Sequence, residues 1–251
     1  MKKFLAAVLA ATLLGAVFTG CSKKSATSEK VYLIATDTTF APFEFENADG
    51  KFVGIDMDIL DAIAKDQGFK YKIQVLGFNA AVQALESKQT DGVIAGMSIT
   101  DERKLKFDFS EPYFDSGVVM GVSKDSAITS YDELKGKKVA IKTGTEGATF
   151  AESIKDKYGF EVSYFEDSAN MYEDVRTNNS VACFEDYPVL GYAISQNVGL
   201  KIVTPKEQGS SYGFAVSKGM NAELLSMFNK GLKDIKDNGT YQNILDTYIK
   251  K

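Results

Sequence analysis

The chain has 251 residues with 29 Lys and Arg, 34 Asp and Glu, two Cys, and neither His nor Trp. Its 44% hydrophobic and 25% charged residues are typical of a globular protein with a substantial core. The absence of His excludes Ser–His and Cys–His catalysis and most zinc sites, and a net charge of −5 without a basic cluster argues against nucleic-acid binding. A binding protein remains, or an enzyme that works with carboxylates, Lys and Arg.

The N-terminus has the pattern of a secretory signal. Lys2 and Lys3 precede an uncharged run at 4–20, rich in Ala, Leu and Val and short for a spanning helix, which needs about 20 residues. The run ends in small residues directly before Cys21, which is similar to a bacterial lipobox. We expect 1–20 to be a signal peptide and Cys21 to carry lipid, with ordinary cleavage nearby as the alternative. The polar stretch 21–30 then forms a lipid-anchored linker.

Strands and helices alternate along the rest of the chain. The predicted strands cover 31–36, 69–76, 92–95, 139–142, 162–165 and 181–184. The predicted helices run from Asp56 to Gly68, over 80–87, from the turn at 142–145 to Tyr158, from near Asp186, from Asn221 to Gly239, and over the last residues of the chain. A capping box at Ser130 predicts a further short helix.

The alternation occurs twice, at about 31–113 and again at about 128–205. Such alternation is typical of an α/β protein with parallel sheets covered by helices. Two apolar runs, 117–122 and 212–216, are placed to cross from one sheet to the other. We therefore predict two lobes: lobe 1 from 31–116 with 213–251, lobe 2 from 124–208, and hinge strands at 117–123 and 209–216.

Six short motifs follow one another along the chain. They are ATDTTFAPFEF from Ala35, GIDMDI from Gly54, AGMSITDER from Ala95, FSEPY from Phe109, KTGT from Lys142 and NGTY from Asn238. Each alone is weak, but in this order they resemble the extracytoplasmic solute-binding proteins of polar amino-acid ABC importers, most of all the glutamine-binding branch. The resemblance implies a type II periplasmic-binding-protein fold, in which two lobes, each a mainly parallel sheet flanked by helices, close around one free amino acid.

The residues alone leave the roles of the candidate side chains open. Arg103 can hold a carboxylate through two parallel hydrogen bonds, or pair with a neighbouring acid. The turn 142–145 can bind an anion through its free N–H groups or be a plain strand–helix connection, and it is not a phosphate loop because GxxxxGK[ST] is absent. Asp186 can cap the helix that follows it. Phe40 and Phe78 can be core residues.

The resemblance assigns these side chains to a ligand site. By this resemblance, Arg103 binds the ligand carboxylate, Asp186 binds its ammonium, and Asp37 binds its side-chain amide. Gly144 and Thr145 join the carboxylate end, Gly96 the ammonium end, and Lys142 the side-chain end. Ser98 contacts both the carboxylate and the ammonium, while Phe40 and Phe78 sandwich the ligand. The implied ligand-binding residues are Asp37, Phe40, Phe78, Gly96, Met97, Ser98, Arg103, Lys142, Gly144, Thr145, Glu185 and Asp186.

Glu185 departs from the family pattern, because glutamine-binding relatives can carry His at this position. An extra carboxylate near the side-chain pocket favours a basic ligand such as arginine or histidine, unless Lys142 pairs with it and returns the pocket to amide recognition. We expect glutamine, with a basic amino acid as the alternative. A dehydratase-like enzyme is less favoured because the adjacent Glu185 and Asp186 point in different directions, and a sensory module because no signalling domain is apparent.

The expected partners follow from the resemblance. We expect a monomer on the outer face of the bacterial cell membrane, tethered through lipid on Cys21. It hands a free amino acid to the permease subunits of an ABC importer. We expect no catalytic activity, no metal, no cofactor and no nucleic-acid partner. Cys183, in an apolar run, is expected to be a buried reduced thiol.

Overall fold

The computed structural model describes residues 30–249. Its strands are β1 Val31–Thr36, β2 Thr39–Phe40, β3 Glu44–Glu46, β4 Phe52–Val53, β5 Lys70–Val75, β6 Gly92–Val93, β7 Phe107–Phe109, β8 Phe114–Ser123, β9 Lys138–Lys142, β10 Glu161–Phe165, β11 Ala182–Asp186, β12 Leu200–Ile202, β13 Glu207–Tyr212 and β14 Ala215–Ser217. Its α-helices are α1 Ile55–Gln67, α2 Phe78–Glu86, α3 Asp101–Lys104, α4 Glu146–Tyr158, α5 Ser168–Arg176, α6 Tyr187–Ser195, α7 Ala222–Asp237 and α8 Thr240–Tyr248. A 3₁₀ turn at Tyr131–Leu134 carries the predicted capping box.

The first lobe is built on a five-stranded sheet in the order β5-β1-β6-β14-β7. β1 runs parallel to β5 and β6, whereas β14 runs antiparallel to β6 and β7. Apolar residues of α1 and α7 pack with β1 in one core, and those of α2 pack with β1 and β6 in a second core. Helices therefore cover both faces of the sheet, as a sheet buried on both sides requires.

The second lobe has the sheet order β10-β9-β11-β8-β12, with β13 also paired to β8. β9 runs parallel to β10 and β11, and β8 runs antiparallel to β11, β12 and β13. One core joins α4 to this sheet, and another joins α5 and α6 to it. The burial of both sheet faces matches the short, nearly continuous apolar runs of these strands.

The connection between the lobes explains why both sheets are mixed rather than mainly parallel. The chain leaves the first sheet through β8 and returns through β13 and β14. β13 pairs antiparallel with β8, from Tyr212 opposite Phe114 to Glu207 opposite Val118. β8 runs against the parallel strands of the second sheet, and β14 runs against those of the first. The predicted two-lobed α/β class is confirmed, and the parallel part is limited to β5-β1-β6 and β10-β9-β11.

Several elements differ from the prediction for local reasons. α3, α5 and the small sheet β2-β3-β4 were not predicted. α3 and the three strands span only two to four residues each, and α5 is a mainly polar helix with few apolar side chains. Asn221 stands at the start of α7 but makes no capping bond, since its side chain donates to the Asp91 carbonyl at 3.0 Å. α7 ends at Asp237 with Asn238 as its C-cap residue, and Gly239 is the N-cap residue of α8 instead of the end of α7.

Two further predictions concern the cysteines and the membrane. Cys183 is fully buried, and burial raises the pKa of its thiol, so the inert core thiol is confirmed. The signal peptide, most of the linker and Cys21 lie outside the described residues. None of the helices within residues 30–249 combines the length and apolarity that a bilayer crossing needs.

Candidate functional site

The predicted site residues come together where strands of the two sheets end. Asp37 follows β1, and the turn that begins at Gly96 follows β6. From the other lobe, Lys142 ends β9 and Asp186 ends β11. The carboxyl ends of parallel strands are the usual place for a ligand in open α/β sheets, and here two such edges face each other.

A buried ion pair joins the lobes at one end of the site. The Lys142 ammonium donates to Asp37 Oδ2, and the two side chains are 1% and 0% exposed. The other oxygen, Asp37 Oδ1, accepts the backbone N–H groups of Thr38 at 2.6 Å and Phe78 at 3.1 Å. Lys142 Nζ also lies 5.1 Å from the centre of the Phe40 ring. Each charge thus has an opposite partner in a water-poor setting, as a buried ion pair needs.

Glu185 is fully hydrogen-bonded within its own lobe. Its Oε2 accepts from the hydroxyls of Ser168 at 3.1 Å and Tyr172 at 3.0 Å, and its Oε1 accepts the Asp186 N–H at 3.0 Å. Burial raises the pKa of Glu185, while the Lys142 charge lowers it. Lys142 reaches Ser168 Oγ at 3.3 Å, so Ser168 links it to Glu185, and the direct partner of Lys142 is Asp37.

Arg103 lies between the lobes at the other end of the site. Its guanidinium donates to the carbonyls of Ser98 and Gly144, both at 2.9 Å, and lies 3.5 Å from Glu146 Oε1. The guanidinium carbon is 5.4 Å from the centre of the Phe78 ring. Burial lowers the pKa of Arg103, and the Glu146 charge raises it. The ion-pair partner is therefore an acid of the opposite lobe and not a sequence neighbour.

The loop after β6 is held from two sides at Gly96. Its φ of +53° is in the left-handed region, and a Cβ there would lie 2.3 Å from the Phe40 ring, so glycine is required. Its N–H donates to Asp56 Oδ2 at 2.8 Å. Met97 is a core residue: its side chain is buried, and its carbonyl accepts the Gly213 N–H at 3.0 Å. The Met97 side chain packs in the same core as Phe78 of α2, so its ligand contact stays a prediction.

The turn after β9 uses its threonine as a helix cap. The Thr145 hydroxyl accepts the Ala148 N–H at 3.2 Å and donates to the Lys142 carbonyl at 2.8 Å. Its hydroxyl is thereby committed to starting α4, which leaves backbone N–H groups as what this turn offers an anion. Gly144, with φ +78°, directs its carbonyl to Arg103.

Asp186 stands at the N-cap position of α6 but does not cap it through its side chain. Its Oδ2 accepts the Tyr212 hydroxyl at 2.5 Å, and the Ser116 hydroxyl donates to that of Tyr212 at 3.0 Å. Burial and then the Glu185 charge raise the pKa of Asp186 to about 7, against the Tyr212 bond and the Arg103 charge. Since Ser116 and Tyr212 belong to β8 and β13, this carboxyl is tied to the hinge.

A cavity of about 490 Å³ adjoins the ion pair. The first lobe contributes Thr38 and Thr39 to its wall, and the second contributes Ser168 and Tyr172. The Ser168 N–H donates to the Thr39 hydroxyl at 3.2 Å. Together with the Lys142–Asp37 and Arg103–Gly144 contacts, this bond joins the two lobes in a closed arrangement.

The sequence analysis missed several residues of this site. Ser168 and Tyr172 lie on α5, which had no clear periodic signal. Tyr212 was read only as a hinge residue. Asp56 lies inside the GIDMDI motif, and Glu146 directly follows the KTGT motif. Nothing in a single sequence shows that an acidic residue at such a position is buried.

The fold and this cleft define the class of two-lobed periplasmic-binding proteins. The model of the family "Bacterial extracellular solute-binding proteins, family 3" matches residues 32–251, and the chain belongs to this family. It is 32% identical over 248 residues to the arginine-binding extracellular protein ArtP of Bacillus subtilis (strain 168), which covers 97% of this chain and 96% of that protein.

Two solved structures add a conformational comparison. Substrate binding domain 2 of Lactococcus lactis GlnP in open conformation is 43% identical, covers 89% of this chain and 97% of its own, and has a TM-score of 0.62. An ancestral arginine-binding protein bound to glutamine is 37% identical, covers 88% and 98%, and has a TM-score of 0.81. The lower TM-score at the higher identity agrees with the closed lobes of this chain.

Proposed function

We propose that this protein binds one free polar L-amino acid between its lobes, with glutamine preferred, and delivers it to the permease of an ABC importer. Membership in the extracellular solute-binding family supports the general part of this proposal. The observation that carries the choice of glutamine is the buried pair of Lys142 and Asp37.

A primary carboxamide fits this pair chemically. Its oxygen accepts from the Lys142 ammonium, and its NH₂ group donates to the Asp37 carboxylate. A guanidinium offers donors only, so it satisfies Asp37 but not Lys142. It also brings a second positive charge close to a buried ammonium, where repulsion is weakly screened. The pair therefore favours glutamine over arginine.

A basic amino acid is the second candidate, and Glu185 is the observation that favours it. This second buried carboxyl lies one hydroxyl away from Lys142, and the adjoining cavity gives room for a longer side chain. The B. subtilis relative is an arginine-binding protein by name, and the ancestral arginine-binding protein was solved with glutamine. Against this candidate, Glu185 already accepts three hydrogen bonds inside its lobe.

The remaining site residues are proposed to hold the α-amino acid group common to all candidates. Arg103 turns its guanidinium to the ligand carboxylate, helped by the N–H groups of the turn at Gly144. Asp186 and the Gly96 carbonyl receive the ammonium. Charge-assisted bonds of this kind contribute about 1.5–3 kcal/mol each. Phe40 and Phe78 exclude water from the cleft.

Closure of the lobes is the proposed mechanism. A ligand that touches both lobes stabilises the closed form in proportion to its differential affinity for it. The closed form then docks on the permease subunits as a monomer. The signal peptide at 1–20 is proposed to direct export and to be removed before Cys21. Lipid on Cys21 is then proposed to hold the protein at the outer face of the cell membrane, where two or more acyl chains give stable anchoring.

A thermal-shift screen of the purified protein against the twenty L-amino acids tests this proposal, because ligand binding raises the melting temperature by mass action. We expect the largest shift with L-glutamine and none with D-glutamine, the matched control for charge and composition. No shift with any amino acid contradicts amino-acid binding. The largest shift with arginine or histidine favours the second candidate.

A further inference from the structure

Two carboxyl groups lie buried beneath the Gly96 loop and have no part in the proposed ligand contacts. Glu44 belongs to β3 and Asp56 to the first turn of α1, and both are 0% exposed. Asp56 Oδ2 accepts two bonds of 2.8 Å, from the Gly96 N–H and the Tyr113 hydroxyl. Within residues 30–249, Asp56 Oδ1 and both Glu44 oxygens have no donor.

One proton on Glu44 relieves two of these three oxygens, the one that carries it and Asp56 Oδ1. Three buried acceptor oxygens without donors are costly, and native proteins rarely leave such groups unpaired. Glu44 and Asp56 are neighbours in space: the Asp56 N–H donates at 2.9 Å to the carbonyl of Phe43, the residue before Glu44, and the two carboxyl groups interact. A proton on Glu44 turns this contact from a repulsion between like charges into a hydrogen bond donated to Asp56.

The charges around the pair favour this arrangement. Burial, and then the charges of Asp56 and Asp37, raise the pKa of Glu44 well above its ordinary value, while Lys142 lowers it. Burial raises the pKa of Asp56 to about 6, against the bonds from Gly96, Tyr113 and Glu44. Tyr241 also faces the Asp56 charge from α8. Asp56 therefore keeps the negative charge and Glu44 the proton.

We propose that Glu44 and Asp56 share one proton near neutral pH, and that the Asp56 carboxylate is a positioning residue for the loop that receives the ligand ammonium. This inference rests on the proposed function. The Asp56 carboxylate accepts the Gly96 N–H, and the Phe40 ring packs against the same glycine. The single negative charge of the pair lies against the Gly96 backbone, where it adds to the attraction of this loop for an ammonium.

Matched variants separate the two members of the pair. Glu44→Gln supplies a neutral N–H donor where the shared proton would be, so we expect glutamine affinity within about 3-fold of wild type at pH 7.5. Asp56→Asn removes the charge and makes the group that faces Gly96 a weaker acceptor. We expect it to weaken glutamine binding at least about 10-fold, measured by calorimetry. Unchanged affinity in Asp56→Asn overturns the positioning role.

NMR of ¹³C-labelled carboxyl carbons would detect the shared proton directly. We expect one protonated Glu signal at pH 7.5 that disappears in Glu44→Gln. Saturation with glutamine should lower the apparent pKa of the pair, because the ligand ammonium stabilises its charged form. These spectra are recorded on the wild type and on Glu44→Gln, so the test does not depend on whether Asp56→Asn folds. A pair that is doubly ionised at pH 7.5, or insensitive to bound glutamine, overturns the inference. If wild type binds no amino acid, the proposed function fails, while the ¹³C spectra still decide the shared proton.

Discussion

The two ends of the cleft are built in different ways. At the α-amino end, Arg103 and Asp186 lie among backbone carbonyls and N–H groups, which any amino acid can use. At the side-chain end, Lys142 and Asp37 neutralise each other across the lobes, with Glu185 held behind Ser168. Under the proposed function, the first end would provide general affinity and the second would provide selection among side chains.

This difference explains how relatives of one family can carry different ligand names. The α-amino end depends on the two sheet edges and their turns, which the fold supplies. The side-chain end depends on the balance of a few buried charges, and a single residue such as Glu185 alters that balance. Substitutions at the two ends should therefore have different signatures: general loss at the first and altered preference at the second.

The largest effect is expected at Arg103. Arg103→Ala removes the proposed carboxylate contact and leaves an unpaired anion, which costs about 2–5 kcal/mol for a buried pair, or at least about 30-fold in affinity. Calorimetry should show this loss for every amino acid that the wild type binds. Lys230→Ala, which removes an exposed cation paired with Asp234 on α7, is the control and should bind normally. Equal affinity in Arg103→Ala contradicts the carboxylate assignment.

Asp37→Asn should impair both folding stability and ligand choice. It leaves the Lys142 ammonium buried without its carboxylate, and breaking one partner of a buried pair costs about 3–5 kcal/mol in the free energy of unfolding. Denaturant unfolding measures the loss. The double variant Asp37→Asn with Lys142→Met should recover most of the stability but not the preference for glutamine. A stable single variant with wild-type preference would show that the pair has no selective role.

Affinity should fall as the solution is acidified through pH 7. The pKa of Asp186 is about 7, above its ordinary 3.8, and a ligand ammonium lowers it by stabilising the carboxylate. Binding therefore releases a proton, and the dissociation constant rises by up to about tenfold per pH unit below 7. Calorimetry at pH 8 to 5 in two buffers of different ionisation enthalpy measures both quantities. Constant affinity over this range argues against an ammonium contact at Asp186.

Protonation of Asp186 has the opposite effect on folding stability: it stabilises the folded protein while it weakens ligand binding. Its folded pKa is raised, so its contribution to stability is present below about pH 4 and lost as the pH rises through about 7. Within this window, acidification makes the Asp186 contribution to the ligand-free protein more favourable while ligand binding weakens.

The smallest effect on glutamine is expected at Glu185. Because this carboxyl binds Ser168, Tyr172 and the Asp186 N–H, Glu185→Gln should change glutamine affinity by less than about 3-fold. If arginine binds at all, its affinity should fall further, since the variant removes a nearby negative charge. Parallel titrations of the two amino acids measure the contrast. A large loss of glutamine affinity would mean that Glu185 contacts the ligand.

Most of the fold was predictable because its elements carry strong local signals. β1 has the predicted bounds, and α1 ends at Gly68, which takes the left-handed conformation. α5 and β2-β3-β4 were not predictable, because their stability comes from packing rather than periodicity. The antiparallel entry of β8 and β14 depends on contacts far apart in the chain.

The site was predictable only as a set of candidates. Motifs drew attention to Asp37, Arg103, Lys142 and Asp186, and the structure brings these side chains into one cleft. The sequence could not pair Lys142 with Asp37 rather than Glu185, because that choice depends on Ser168 and Tyr172 from an unpredicted helix. It also gave no reason to expect Arg103 opposite Glu146.

The Lys142–Asp37 pair is proposed to select a carboxamide over a guanidinium. Calorimetric titration of the wild-type protein with L-glutamine and with L-arginine at pH 7.5 measures this selection. Glutamine is expected to bind at least about tenfold more tightly, which is about 1.4 kcal/mol. Tighter binding of arginine than of glutamine would show that the pair does not select a carboxamide.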